Sequence, residues 1–432
     1  MQQQAVSNRQ RAVAKPRWRS RRLSALFMAV AAVVLLAACG DDDDSQASTD
    51  DTTSTEETSA DTTAPAEDST DTSAPAEGGT DTTSAAPADD GEQTPMLELS
   101  SFPGETFANA PSFIAQEMGW FEEEGLDYSI EYPGSTVRSI QTVVGGTTGI
   151  SWTDAFGIMV ANSQDFPLTS LFSTLQGSGF GFAVTPDSPI TEWTADQVRG
   201  STIGVTDFAG GEVPLLRGAL ARLDLEEGSD YELLPVGEGG PDMAAAIEEG
   251  SVDLMAGSLL DFEVLRGAGV EMRLITPDYV QEFPGHAYAT TPELLEEERE
   301  AIVGFLRARA KALVFMQTNP EAAAAIGIAY APASAEGLSP EEVVTFLETV
   351  WLDANAQYFE EGNPQFHQIG MQVPENWETY QEFLIEAGVE SEEGVILTEP
   401  VDIAAIVDNT LIEEVNDFDY AEVEELARNY QP

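Results

Sequence analysis

The sequence predicts an α/β protein with two α/β units, each a mostly parallel sheet flanked by helices, followed by a helical C-terminal extension. Two observations predict this fold class. From residue 96 to about 287, short apolar segments typical of strands alternate with segments of helical periodicity. From about residue 285 onwards, helix start signals dominate instead. The folded body is therefore predicted over residues 96–432.

The first unit is predicted to run strand, helix, strand, helix, strand. Its strands are expected at Met96–Ser101, Asp127–Tyr132 and Gly149–Trp152, and its helices at 111–118 and 134–144. Since parallel strands need a crossover connection, this order predicts a parallel sheet.

A second unit of the same kind follows. Its strands are expected at Gly179–Thr185, Ser201–Val205, Tyr231–Val236 and Val252–Ala256, and its helices at 194–198, 242–249 and after a glycine-rich loop at 206–214. In the C-terminal part, Thr291-Pro292 predicts a long helix to about Met316, Asn319-Pro320 begins another, and Ser339 to Glu342 is a capping box.

The first 38 residues have the layout of an export signal. Residues 1–40 contain seven basic and no acidic residues, and include the apolar run Leu23–Ala38. This run is shorter than the roughly 20 residues of a membrane-spanning helix. Leu36-Ala37-Ala38-Cys39 resembles the bacterial lipobox, which predicts cleavage before Cys39 and a lipid anchor on its thiol. The alternative is an ordinary signal peptide, residues 1–38, with an incidental cysteine.

Residues 39–95 are predicted to be a disordered acidic tether rich in Thr, Ser and Pro. Residues 41–95 carry 17 acidic residues, no basic residue and no aromatic residue. Such a segment buries too little apolar surface to offset the entropy of ordering, and its charges repel one another.

The charge and the cysteine count exclude several classes of protein. The chain has 18 Lys and Arg residues against 77 Asp and Glu residues, a net charge of −59, so we expect no nucleic-acid partner. One cysteine and two histidines cannot form an intrachain disulfide or a multi-thiolate metal site. We expect no cofactor, no metal site and a monomer, although a calcium site made only of carboxylates stays open.

Four segments in order resemble a known family. They are similar to the solute-binding proteins of ABC importers, in the group that binds sulfonates, taurine, nitrate and thiamine-pyrimidine precursors. The resemblance covers roughly residues 97–416 and is carried by Pro111–Leu126 (PSFIAQEMGWFEEEGL), Val198–Val205 (VRGSTIGV), Glu238–Leu254 (EGGPDMAAAIEEGSVDL) and Asn319–Ala322 (NPEA).

The resemblance implies a two-lobed periplasmic binding protein fold of type 2. Lobe one would comprise residues 96–182 and 288–432, and lobe two residues 183–287, with a hinge crossed twice. It further implies an extracytoplasmic, membrane-anchored receptor that captures a small organic solute containing nitrogen or sulfur. The receptor would deliver that solute to an ABC permease and its ATPase.

Ligand contacts are expected in loops at the carboxyl ends of the parallel strands, where helix N-termini present free N–H groups. Four loops fit this description. The candidate ligand-binding residues on them are Phe107, Asn109, Ser135, Thr136, Trp152, Asp154, Phe156, Asp207, Phe208, Gly210, Gly211 and Glu212.

The chemistry of these residues indicates a small-molecule site. Gly210 and Gly211 precede a helix and would let the backbone approach a carboxylate or sulfonate oxygen, or they form a plain turn. The aromatic candidates, Phe180 among them, could stack on a planar ligand or belong to the core. The acidic candidates favour an amine or a ring nitrogen, since Arg138 is the one nearby positive charge.

Two other classes of function are weighed. A synthase of the thiamine pyrimidine shares this fold, but it uses a lysine-bound pyridoxal phosphate and a cysteine-rich motif. This chain has no cysteine after Cys39, and its lysines are Lys15 and Lys311. No catalytic residue is therefore predicted, and His286 and His367 are expected to be structural. A sensory or adhesive lipoprotein is the third class, and a specific solute that raises the melting temperature would argue against it.

Overall fold

The structure is a computed structural model that describes residues 93–431, apart from 103, 147–148, 209, 238–239 and 389–396. The predicted signal peptide, Cys39 and nearly all of the predicted tether lie outside the described residues. The body begins at Thr94, two residues before the predicted start.

Ten strands are present in the described residues, and they form two five-stranded sheets. In chain order they are β1 Thr94–Ser100, β2 Leu126–Glu131, β3 Ile150–Asp154, β4 Thr169–Ser173, β5 Phe180–Val184, β6 Thr202–Val205, β7 Glu232–Pro235, β8 Leu254–Ser258, β9 Arg273–Leu274 and β10 His286–Thr290.

Each sheet is mixed, with one strand running against its neighbours. Sheet one has the order β2-β1-β3-β10-β4, in which β1 is parallel to β2 and β3 while β10 is antiparallel to β3 and β4. Sheet two has the order β7-β6-β8-β5-β9, in which β6 is parallel to β7 and β8 while β5 is antiparallel to β8 and β9. The predicted two-sheet α/β class is thus confirmed.

The antiparallel strands β5 and β10 are the two strands at which the chain changes sheet. The chain leaves sheet one after β4 and enters sheet two at Phe180, and it returns to sheet one at His286. The lobe boundaries predicted after residues 182 and 287 fall inside these two strands. The crossings lie at 174–179 and 275–285, a few residues before the predicted boundaries. Lobe one and lobe two here mean the parts of the chain around sheet one and sheet two.

Helices cover both sheets and form most of the C-terminal part. In chain order they are α1 Ala110–Glu117, α2 Trp120–Glu123, α3 Thr136–Val144, α4 Ala155–Ser163, α5 Ala195–Val198, α6 Glu212–Ala221, α7 Pro241–Glu248, α8 Leu259–Gly267, α9 Pro292–Glu297, α10 Arg299–Thr318, α11 Pro320–Tyr330, α12 Pro340–Leu347, α13 Pro374–Ala387, α14 Ile403–Ile406, α15 Ile412–Val415 and α16 Tyr420–Asn429.

The capping residues read from the sequence act as predicted. The side chains of Thr291 and Asn319 accept backbone hydrogen bonds at the starts of α9 and α11, and Ser339 forms a capping box with Glu342 at α12. The long helix predicted from Thr291 is wrong in one respect. It is divided at Glu298 into α9, which buries none of its residues, and α10, most of whose residues are buried.

Several elements were not predicted. Helix α4 follows β3 directly, because Asp154 ends the strand and caps the helix, so the loop expected there does not exist. Strands β4 and β10 and helix α8 were also missed. Among the described residues, no helix is both long enough and apolar enough to cross a membrane.

The largest core lies in lobe one, where sheet one packs against α1, α10, α11 and α12. A second core joins α3 and α4 of lobe one to sheet two, α6 and the C-terminal helix α13. Phe383 on α13 packs against Phe283 in the second crossing, with ring centroids 4.9 Å apart and the rings tilted by 46°. Helix α13, predicted to belong to lobe one, contacts both α4 and α6 in this core.

Candidate functional site

A cavity of about 1170 Å³ is lined by residues of both lobes. In sheet one, β2 and β3 lead into helices whose first residues border it; in sheet two, β6, β7 and β8 do the same. The residues at the starts of these five helices are Ser135, Asp154, Gly211, Gly240 and Ser258. The site therefore lies at the carboxyl ends of parallel strands, the position expected for open α/β sheets.

Ten of the twelve sequence-predicted site residues border this cavity. They are Phe107, Ser135, Thr136, Asp154, Phe156, Asp207, Phe208, Gly210, Gly211 and Glu212. The remaining two, Asn109 and Trp152, do not.

Asn109 and Trp152 belong to the interior of lobe one. Asn109 is fully buried and donates from Nδ2 to the hydroxyl oxygen of Ser100, 3.2 Å away. Trp152 donates from Nε1 to Thr174 over 2.9 Å and stacks against Trp351. The prediction of Trp152 as a ligand contact is not supported by its position, because its polar atom is already bonded within the core.

Three rings that line the cavity lie in a row beside Trp152, each in contact with the next or with Trp152 itself. Phe102 lies in front of Trp152, with ring centroids 5.1 Å apart, and His286 lies beside it at 5.7 Å. Phe180 of lobe two reaches His286 from the other side, at 5.6 Å. Phe102 and His286 were not among the predicted site residues. His286 was missed because only the return of β10 to sheet one brings it to the cleft.

Asp154 of lobe one borders the cavity close to Gly211 of lobe two. Its Oδ1 accepts a hydrogen bond from the backbone N–H of Gly157 over 2.8 Å, and its Oδ2 accepts one from the hydroxyl of Thr136 over 2.5 Å. A Cβ placed on Gly211 of lobe two would lie 3.5 Å from Oδ2, and a Cβ there would also lie 2.6 Å from the ring of Phe180. A side chain at 211 would thus collide with the cavity wall, which explains the glycine.

Glu212, on the lobe two side, is a buried carboxyl. Its Oε1 accepts hydrogen bonds from the backbone N–H and the hydroxyl of Thr206, over 2.8 and 2.7 Å. The pKa of Glu212 is raised to about 7, mainly by burial and also by the negative charge of Asp261, although these hydrogen bonds lower it. At neutral pH this carboxyl is therefore present in both its protonated and its ionised form.

The charges around the cavity have one sign. Of the described residues that line it, Asp154, Asp207, Glu212, Asp261 and Glu336 are acidic, His286 is the one titratable base, and none is arginine or lysine. Arg138, the nearby positive charge noted in the sequence, lines a separate shallow pocket and donates to the carbonyl oxygen of Pro133. The cavity thus favours a cation, or a neutral molecule that donates hydrogen bonds.

One end of the cavity is apolar. Leu260, Val264 and Ala268, spaced four residues apart along and just beyond α8, share a helix face that borders it. Leu338 of lobe one meets this face at Gly267, where a Cβ would lie 1.8 Å from the leucine side chain. Phe346 also lines the cavity. Within the described part of the chain, no group of three or more His, Cys, Asp or Glu residues is placed to hold a metal ion.

The chain has the fold of the periplasmic binding proteins. The periplasmic nitrate-binding protein NrtA of Synechocystis PCC 6803 superposes with a TM-score of 0.52 at 14% identity, covering 79% of this chain and 99% of that protein. At this identity the likeness establishes the fold alone.

The chain belongs to the NMT1/THI5-like family, whose model matches residues 106–323. The family resemblance seen in the sequence is thereby confirmed.

Three curated proteins are similar in sequence to this chain. The formylaminopyrimidine-binding protein of Halalkalibacterium halodurans is 28% identical over 215 residues, 49% of this chain and 63% of that protein. The riboflavin-binding protein RibY of Chloroflexus aurantiacus is 23% identical over 336 residues, 76% of this chain and 90% of that protein. A 4-amino-5-hydroxymethyl-2-methylpyrimidine phosphate synthase of Aspergillus parasiticus is 29% identical over 96 residues, 22% of this chain and 28% of that enzyme.

Proposed function

We propose that this protein is the solute-binding component of an ABC importer and that its ligand is a planar nitrogen heteroaromatic compound of the pyrimidine or flavin type. The observation that carries the proposal is the cavity's lining, which combines aromatic rings with buried carboxyls and includes no arginine or lysine among its described residues. Ring nitrogens and amino groups are the partners that buried carboxyls bind, and flat rings stack on aromatic side chains.

The same lining disfavours the anionic ligands of the sequence-based prediction. A sulfonate or nitrate buried beside Asp154 and Glu212 would lie near carboxylates. No arginine or lysine among the described lining residues would offset its loss of hydration. The helix N-termini around the cavity favour anions, but Asp154 and Asp261 already accept backbone hydrogen bonds at two of these five N-termini. Glu212 adds a carboxyl to the first turn of a third. We therefore place the pyrimidine and flavin compounds ahead of the sulfonate and nitrate classes.

The synthase alternative has less support from the residues. A lysine-bound cofactor requires a lysine in the cavity, and Lys311 lies on α10 beside Glu123 and Glu124 instead. The two curated relatives that are matched over most of their own length, 63% and 90%, are named as binding proteins. We propose that the chain performs no covalent chemistry.

In this proposal, ligand binding closes the hinge. A solute held between Asp154 of lobe one and Glu212 of lobe two contacts both lobes only in the closed form, so its differential affinity shifts the equilibrium towards closure. The permease and its ATPase would then take up the solute from the closed form. Small-angle X-ray scattering with saturating ligand should show compaction, and an unchanged profile would count against closure.

A panel of solutes tests the ligand class. We expect 4-amino-5-hydroxymethyl-2-methylpyrimidine, formylaminopyrimidine or riboflavin to raise the melting temperature, with about 2.7 kcal/mol of added stability when the ligand is at 100 times Kd. Taurine, nitrate and an alkanesulfonate should leave it unchanged. Stabilisation by nitrate or by one of these sulfonates, without any by the ring compounds, would refute the proposal.

The variant Asp154→Asn sharpens this test. Asparagine caps helices as well as aspartate, so α4 should be retained while the charge is removed. We expect weaker binding of the aminopyrimidine and a melting temperature close to that of the wild type. Unchanged affinity would remove Asp154 from the ligand site.

We also propose that the mature protein is an extracytoplasmic monomer held at the membrane by a lipid on Cys39. Two or more acyl chains give stable anchoring, whereas one chain holds only marginally. Replacement of Cys39 by alanine should release the protein from the membrane fraction, and retention of that variant would contradict the anchor.

A further inference from the structure

The imidazole of His286 is enclosed by rings from both lobes. Its centroid lies 6.0 Å from that of Phe102 and 5.7 Å from that of Trp152, both in lobe one, and 5.6 Å from that of Phe180 in lobe two. His286 is 5% exposed and borders the cavity. As the first residue of β10, it lies where the second crossing enters sheet one. The ring is therefore fixed at the junction of hinge and cleft.

The two nitrogens of this ring have different surroundings. Nδ1 is buried and has no hydrogen-bond partner, and a Cβ on Gly179 would lie 3.1 Å from it. A buried N–H group without an acceptor is rare and costly, whereas a nitrogen lone pair in the same place is tolerated better. The neutral ring should therefore carry its hydrogen on Nε2, which leaves Nε2 as the donor.

The charge near the ring is also defined. None of the three rings that enclose it is charged, and the group whose charge acts on it is Asp154, which pairs with His286 across β3 and β10. Burial lowers the pKa of His286 while Asp154 partly raises it, so the imidazole is neutral at physiological pH. A neutral ring offers one donor and binds a neutral or cationic solute without repulsion.

We propose that His286 is a ligand-contacting residue and that its Nε2–H group donates a hydrogen bond to an acceptor atom of the bound solute. This inference rests on the proposed function for the class of ligand. It adds a recognition pattern: the solute presents a hydrogen-bond acceptor to His286 and donors to the carboxyls of Asp154 and Glu212. An amino group next to a ring nitrogen satisfies that pattern, and an aliphatic amine without a ring nitrogen does not.

The first test needs no ligand. The chain contains two histidines, so ¹⁵N NMR of the imidazoles gives two sets of signals, and the variant His367→Gln assigns them. We expect the ligand-free protein near neutral pH to show His286 with hydrogen on Nε2 and a bare Nδ1. Hydrogen on Nδ1 would overturn the proposal, whatever the ligand is.

The second test compares two amides at the same position. In His286→Gln the amide nitrogen reaches the place of Nε2, whereas in His286→Asn it reaches only the place of Nδ1. With 4-amino-5-hydroxymethyl-2-methylpyrimidine as the probe, we expect about tenfold weaker binding for His286→Asn, the effect of one lost hydrogen bond. His286→Gln should stay within about threefold of the wild type on the same scale, and His367→Gln should match the wild type.

The outcomes separate the two proposals. Equal affinities of wild type and His286→Asn, with the probe bound, would refute the contact while leaving the ligand class intact. If no ring compound binds the wild type, the ligand class fails, and the NMR measurement still decides the state of His286. Circular dichroism and melting curves of both variants establish that each is folded before binding is measured.

Discussion

Tyr288 on β10 donates a hydrogen bond to Glu98 on β1 over 2.6 Å, across 190 residues of sequence. Glu98 is fully buried, and its other oxygen accepts from Ser112 over 2.6 Å and from Tyr128 over 2.7 Å. Arg309 extends the network by donating from Nη1 to the hydroxyl oxygen of Ser112. A buried carboxyl is thus satisfied by three hydroxyl groups, two of which lie on other strands of sheet one.

We expect Tyr288→Phe to destabilise the protein. The variant keeps the ring but removes one donor to a buried carboxyl, which costs about 1–3 kcal/mol. The free energy of unfolding in urea measures the effect. A matched control is Tyr132→Phe, because the hydroxyl of Tyr132 is buried without a hydrogen-bond partner. Its removal should be neutral or stabilising, and equal losses in the two variants would contradict the role of the Glu98 network.

The raised pKa of Glu212 predicts that the stability of the protein falls as the pH rises. The pKa of this carboxyl in the folded state, about 7, lies above that of an ordinary glutamate, so the folded protein binds the proton more tightly than the unfolded chain. The stabilisation that this proton provides is present in full below about pH 4.3, the value for an unfolded glutamate, and is lost as the pH rises towards about 7. For a fully buried group the total is of order 3 kcal/mol.

The variant Glu212→Gln tests this dependence. It cannot ionise, and its amide oxygen can still accept from Thr206. The free energy of unfolding of the variant should fall less between pH 5 and 8 than that of the wild type. As a control, Glu342→Gln replaces an exposed carboxyl whose pKa is lowered, first by the hydroxyl of Ser339, so its titration lies below this pH range. If the free energy of unfolding of Glu212→Gln fell as steeply with pH as that of the wild type, the raised pKa of Glu212 would be contradicted.

The difference between prediction and structure at the site has a physical cause. Glycine and helix-start signals are local, so loops such as Gly210 to Glu212 could be found from the sequence, and so could the parallel order of the first three strands. The role of Trp152 could not be predicted from its sequence neighbours, because it depends on Thr174 and on Trp351, some 200 residues further along the chain. His286 was missed for the same reason: its place in the cleft depends on the pairing of β10 with β3.

Trp152→Phe should therefore change stability more than ligand binding. The variant loses the hydrogen bond to Thr174 and part of the stack on Trp351, which we expect to cost about 1–3 kcal/mol. Affinity for the ligand found by the solute panel should stay within about threefold of the wild type, a smaller change than the loss of one hydrogen bond causes. Phe180→Ala, which removes a cavity-lining ring, is the comparison and should weaken binding more. If Trp152→Phe weakened binding more than Phe180→Ala, Trp152 would be a ligand contact after all.

The contact between Gly218 on α6 and Phe383 on α13 predicts opposite effects for two glycine substitutions. A Cβ at Gly218 would lie 2.5 Å from two ring carbons of Phe383, and that ring is held by Phe283 and by Arg222, whose guanidinium carbon lies 4.5 Å from its centroid. Since the ring cannot move aside, Gly218→Ala should destabilise by about 1–3 kcal/mol.

Gly327 on α11 is the matched control, because a Cβ there would lie 3.4 Å from Phe107, an ordinary contact. Gly327→Ala should stabilise by up to about 1 kcal/mol, since alanine favours the helix. Urea unfolding of both variants measures the contrast. The double variant Gly218→Ala with Phe383→Leu should show a favourable coupling free energy, because the shorter side chain relieves the collision. Additive losses would mean that α13 does not press on α6, and that its docking on lobe two is looser than these distances indicate.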